Sequence, residues 1–177
     1  AVSTYGFWYY YMNTGDKESL EKELEKLSDK ISDERMPCDV SVDIQYKYKV
    51  TVKENEFSLS CAQSINIPVE KYDYFEGSAP ENRNEIAITP QVSKLLNAEI
   101  GDTVTIDFGS EKIDCIVTAY FQTMNNLGEL IRLHDDAPTS MSSVSAIRQY
   151  QVDFTDNPSA AEIENRKERI KELLDIE

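Results

Sequence analysis

His134 is the single imidazole of the chain, and Asp135 and Asp136 follow it directly. A Ser or Cys nucleophile needs a base within hydrogen-bond reach, so hydrolytic chemistry would have to run through this one residue, with Asp135 or Asp136 beside it. The surrounding stretch is polar and irregular, and there a histidine among acids reads as a solvated side chain. Two adjacent carboxylates could meet a calcium ion, yet no D-x-[DN]-x-[DN]-G spacing surrounds them, which leaves an exposed acidic loop. Cys38, Cys61 and Cys115 could offer thiolates to zinc, but three of them with no C-x-x-C spacing and one histidine do not compose such a site. No Gly-rich turn follows a strand in the manner needed to cradle ATP or NAD. The sequence therefore predicts no catalytic residue, no metal site and no cofactor.

Charge narrows the partners further. Lys and Arg number 18 against 33 Asp and Glu, a formal charge of −15. Such a surface repels phosphate backbones and anionic headgroups, so nucleic acid is not expected as a partner. With 177 residues, 40% of them hydrophobic, the chain can bury one real core, and a single domain with lobes is expected. No run approaches the ~20 apolar residues of a spanning helix, and the first residues lack the pattern of a signal peptide. The aromatic run Tyr5, Phe7, Trp8, Tyr9, Tyr10, Tyr11 suits either a membrane interface or a first core strand, and the strand is the preferred reading.

The elements that must position these residues show in the periodicity. Leu20, Leu24, Leu27 and Ile31 recur at helical steps and predict a helix over 17–31, with Asp16 as N-cap, Glu18 reaching Lys22, and Lys30 in the last turn. Past Met36 and Pro37 the period falls to two. Cys38, Val40, Val42, Ile44, Tyr46, Tyr48, Val50 and Val52 face one way along a strand that should be wet on its other side. Glu54, Asn55 and Glu56 turn it into a hairpin with Phe57, Leu59 and Cys61. That pairing sets Tyr48 opposite Cys61 and leaves Cys38 far down the strand, so three buried free thiols are expected.

A connection with Pro68, Gly77 and Pro80 leads to a strand over 85–88. Thr89 then caps a helix with Pro90 at its first position, Val92, Leu95 and Leu96 on its buried side, and Asn97 as a left-handed C-cap. Gly101 and Asp102 reverse the chain into strands over 103–108 and 112–121. Residues 125–143 read as irregular and mobile. A strand over 146–154 follows, and Ser159 with Glu162 predicts a capping box for a last helix, with Ala160, Ile163, Ile170 and Leu174 on one stripe. The fold class is α+β, with a first lobe from 1–66 and 144–177 and an inserted lobe over about 67–143.

The most specific signal is the series Glu76, Gly77, Pro80, Asn84, Glu85, Ile86, Ile88, Thr89, Val92, Leu96, Ile100, Gly101, Asp102, Thr103, Val104, continued by residues 116–128. It resembles the extracytoplasmic domain of FtsX-like and MacB-like ABC permeases. Three positions depart from that pattern: Ser93 stands for a small Ala, Asn97 for a C-cap Gly, and Ala119 for a Gly. The resemblance implies a porter-like sheet-and-helix lobe with a small inserted β-rich lobe carrying one short helix. It also implies a non-catalytic domain on the outer face of the cell membrane, between the first two transmembrane helices of a permease. Its partners would be an ABC ATPase subunit, a second permease copy in a homodimer, and an external ligand, peptide or protein. The rival reading is a freestanding secreted or surface-attached binding module. In either case the candidate partner-binding loop is 125–143, with Asn125, Asn126, Leu127, Gly128, His134, Asp135 and Asp136. A disordered connection is the alternative for that stretch.

Overall fold

The computed structural model of the chain describes residues 4–7 and 16–175. Trp8, Tyr9, Tyr10 and Tyr11 of the aromatic run lie outside the described residues, while Thr4–Phe7 forms strand β1. The chain divides into two compact units, one of Ala1–Asp43 with Arg148–Glu177 and the other Ile44–Ile147. Both divisions fall inside long strands, β2 (Cys38–Val52) and β9 (Val144–Phe154).

The first unit sets helices α1 (Lys17–Ser32) and α3 (Ala160–Leu174) with the strand order β1-β9-β2. β1 runs antiparallel to β9, Thr4 opposite Asp153 and Phe7 opposite Tyr150. Asp16 caps α1 by accepting from Ser19 N at 2.7 Å, and the Glu18–Lys22 pair forms at 3.3 Å. Leu20, Leu24, Leu27 and Ile31 are all buried, and at ~1.5 to 3 kcal/mol each they outweigh that exposed ion pair. Ser28 Oγ accepts from Val40 N at 2.9 Å and Ser32 Oγ from Cys38 N at 3.4 Å, which ties the helix to the start of β2.

Helix α3 differs from its expected stripe. Ile170 and Leu174 are buried, but Ala160 is exposed and Ile163 only half-buried, so core contact is confined to the second half. Ser159 accepts from Glu162 N at 3.2 Å, while the Glu162 carboxylate lies 3.9 Å from Arg166.

In the second unit, six of the described strands close on themselves. They are the distal part of β2, β3 (Asn55–Ile65), β5 (Glu85–Ile88), β6 (Thr103–Asp107), β7 (Lys112–Tyr120) and β8 (Ile131–Leu133). The circuit runs β2-β3-β8-β5-β7-β6 and returns to β2, because β6 pairs antiparallel with both β7 and β2. β3 with β8 and β5 with β7 are parallel. Closure leaves few free strand edges and buries both faces of the inner strands: Ile86, Ala87 and Ile88 are all inaccessible, as are Cys61 and Ala62. Ala62, Ala87, Ala119, Phe121 and Leu130 form one cluster, with Tyr74 packed on it.

Four expectations need correction. The polar face of β2 is not wet throughout: Ser41 and Gln45 are buried, so both faces of the strand are covered at those positions. The hairpin turns at Lys53 and Glu54, with Lys53 at φ 56°. Leu95 is exposed, since a seven-residue helix covers only one narrow stripe. Residues 125–143 are not irregular throughout, because they contain β8, whose Ile131, Arg132 and Leu133 are buried between β3 and β5.

Candidate functional site

Helix α2 (Pro90–Leu96) and the turn after it, through Glu99, build one wall of a groove in the second unit, and residues 81–102 fix their position. Glu85 Oε1 accepts from Glu81 N and from Asn82 N, at 3.0 and 2.7 Å, which fixes the turn ahead of β5. Thr89, wholly buried, accepts from Val92 N at 3.3 Å and starts helix α2 (Pro90–Leu96). Asn97 ends it at φ 49°, the left-handed conformation a C-cap requires. Ser93 Oγ then donates to Ala98 O at 2.6 Å, and Asp102 Oδ2 accepts from Glu99 N at 2.8 Å, so the chain leaves α2 in a fixed turn.

The opposite wall is a strap over the end of β7. Phe75 N donates to Tyr120 O at 3.0 Å and Ser78 N to Thr118 O at 2.9 Å, and between them strand β4 (Glu76–Gly77) pairs with β7. A Cβ on Gly77 would stand 2.1 Å from Thr118 O, and its φ is 84°, so only glycine lets the strap lie this close. Phe75 is thereby stacked on Tyr120, ring centroids 6.1 Å apart, while 56% of its surface stays exposed. Tyr120 is itself held in place, its hydroxyl accepting from Ile100 N at 3.3 Å.

Between strap and helix lies an open groove of about 360 Å³, whose lining includes Phe75, Glu76, Ser93, Lys94, Glu99 and Tyr120. Glu76, Lys94 and Glu99 are exposed along it. Two further apolar residues stand in solvent, Met124 at 96% and Leu127 at 92%. Neither of the two is among the residues that line the groove.

The loop residues singled out in the sequence fall on two different anchors. Leu127, at φ 56°, and Gly128 belong to a short 3-10 turn at Asn125–Gly128 beside α2, and a Cβ on Gly128 would stand 2.6 Å from Gln91 Nε2. The side chains of Asn125 and Asn126 lie outside the described residues. His134, Asp135 and Asp136 sit after β8 in a turn bound to β3. Gln63 Nε2 donates to the carbonyls of His134, Asp135 and Ala137 at 3.0, 3.2 and 3.3 Å. His134 Nδ1 accepts from Asp136 N at 3.0 Å, so that nitrogen is engaged within the turn. Asp135 Oδ2 accepts from Val69 N at 3.2 Å, and loss of water pushes its carboxyl above the ordinary carboxylate value, the hydrogen bond from Val69 opposing. Among the described residues no group of three or more His, Cys, Asp or Glu is placed to hold a metal ion.

Phe75 and Arg132 carry no sequence signal of their own, and Tyr120 enters the sequence reading only as one position of the 116–128 series. Arg132 is buried with its guanidinium 3.9 Å over the Tyr72 ring and 5.9 Å from Phe121, beside its strand partners Ala62 and Ala87, whose small side chains leave room for its stem. In the first unit, an open groove of about 480 Å³ includes Glu34, Arg35, Met36, Arg166 and Arg169 in its lining. Arg166 there grips Asp156 at 2.8 and 2.7 Å, and Arg169 pairs with Glu34 at 2.5 Å.

This α+β fold is the one found in extracytoplasmic domains of ABC-type transporters. The chain is similar to the periplasmic region of MacB from Actinobacillus actinomycetemcomitans, with a TM-score of 0.55 and 12% identity over 86% of this chain and 74% of that one. It is also similar to the extracellular domain of the noncanonic ABC-type transporter YknZ from Gram-positive bacteria, with a TM-score of 0.55 and 11% identity over 86% of this chain and 82% of that one. No protein-family model matches the sequence, and no curated protein sequence does. Among the described residues no helix is long and apolar enough to cross a membrane.

Proposed function

We propose that this chain is the extracytoplasmic domain of an FtsX-like or MacB-like ABC permease, binding an external ligand, peptide or protein and coupling that event to a cytoplasmic ATPase. The observation that carries the reading is the fold, shared over 86% of the chain with domains of this kind that differ from it in nearly nine residues of ten. The 76–128 series supports it, because the residues that carry that resemblance have physical roles here: Gly77 seats the strap, Glu85 fixes a turn, Thr89 and Asn97 bound α2.

In this reading the domain catalyses nothing. The porter-like and inserted lobes are set at 1–66 with 144–177 and at about 67–143, although compactness alone divides the chain after Asp43 and after Ile147, and the permease works as a homodimer held in the cell membrane by helices that flank the domain. The groove, open to solvent and edged by the exposed Phe75, is the candidate binding surface in this reading.

The test is to extract the full-length protein from membranes of its own host in mild detergent and purify it by a tag. Co-purification of an ABC ATPase is the expected result. Recovery in the aqueous fraction, with no ATPase attached, would instead make the domain a freestanding binding module.

A further inference from the structure

We propose that the groove between the 75–78 strap and α2 receives a lysine or arginine side chain from a basic segment of an external polypeptide. The inference deepens the reading above by giving the partner a chemistry. A groove of about 360 Å³ is large enough for one long side chain and its neighbours. Its aromatic wall is the stacked Phe75–Tyr120 pair, and an exposed ring face attracts a cation with about 0.5 to 1 kcal/mol.

Charge selects the sign of the occupant. Charges beyond ~8 Å are largely screened at physiological salt, so the formal −15 of the whole chain decides little, and the groups in the groove decide most. Those are the carboxylates of Glu76 and Glu99 against the ammonium of Lys94. Among the described residues, no ion pair or side-chain hydrogen bond to a neighbouring residue ties up any of the three. Two open carboxylates outweigh one ammonium, and the aromatic faces add to the same side. The exposed Ile100 and Phe75 offer apolar surface for the residues flanking the cation, so a basic segment interleaved with apolar residues fits better than a purely charged one.

The test titrates the 177-residue chain, at physiological salt, with two fluorescent peptides, Lys-Phe-Lys-Phe-Lys and Glu-Phe-Glu-Phe-Glu, read by anisotropy. The lysine peptide should bind saturably and the glutamate peptide should not. Phe75→Ala, at an exposed ring whose removal leaves the core intact, should weaken binding about twofold to fivefold. The pair Glu76→Gln with Glu99→Gln should weaken it comparably, while Glu25→Gln with Glu54→Gln, which removes the same charge from exposed sites elsewhere, should change it little. Equal loss in the two double variants would mean diffuse attraction to an acidic surface and overturn the proposal. Equal binding of the glutamate peptide, or no saturable binding of the lysine peptide, would overturn it as well. Failure here leaves the membrane extraction result untouched, and failure of that extraction leaves this titration standing.

Discussion

Phe75 stacks with an offset against Tyr120, ring centroids 6.1 Å and planes 28° apart, because the strap that carries Phe75 is hydrogen-bonded along β7 on both sides of Gly77. The aromatic wall of the groove thus depends on a backbone approach that a side chain would block.

Gly77→Ala is expected to cost about 2 to 4 kcal/mol in a urea denaturation, since it adds a backbone clash to a strained positive φ. Gly101→Ala is the contrast: its φ is 98°, but nothing lies within 4 Å of the added methyl, so strain alone, about 1 to 2 kcal/mol, should appear. Equal costs at the two sites would show that close packing of the strap on β7 contributes nothing.

Asp156 sets a pH dependence in the first unit. The bidentate grip of Arg166 holds its carboxyl below the ordinary carboxylate value. A depressed folded-state value adds stability that is present above the unfolded-state value and is lost as pH falls through the folded one. Asp156→Asn should therefore lower the urea midpoint at neutral pH, and the gap to the parent chain should shrink in strong acid. A gap that persists in acid would assign the loss to packing and not to charge.

Much of the fold was legible where periodicity or capping chemistry is local. The stripe of α1, the alternation of β2 and the Thr89–Asn97 bounds of α2 all follow from residues within a few positions of each other. Closure of the barrel was not, because the return of β6 onto β2 pairs Val50 with Ile106, and no short window contains that register. β8 was missed for a different reason: three residues are too few to show a period. The groove escaped as well, since Phe75 and Tyr120 meet only through the strap, although a glycine two residues after an aromatic was a visible hint. His134 and Asp135 drew notice as chemistry-bearing types, and the structure ties them into a turn.

Gln63 is the anchor of that turn. It is buried, donates to three carbonyls and accepts from Thr139 Oγ1 at 2.5 Å. Gln63→Leu would strand those carbonyls, and a loss of about 2 to 4 kcal/mol is expected, with faster amide exchange over 134–139. Unchanged exchange there would show that the turn holds without the amide.

The location of the domain can be read directly from a reporter thiol. Cys38, Cys61 and Cys115 are buried and free, and burial pushes all three thiols up, Cys115 to about 12, so they give little background. Met124→Cys would place one thiol at a site 96% exposed. In intact spheroplasts making the full-length protein, a maleimide that cannot cross membranes should label this variant before lysis well above the level of the parent. Labelling only after lysis would put the domain inside the cell and contradict the proposal that it is the outer part of a permease.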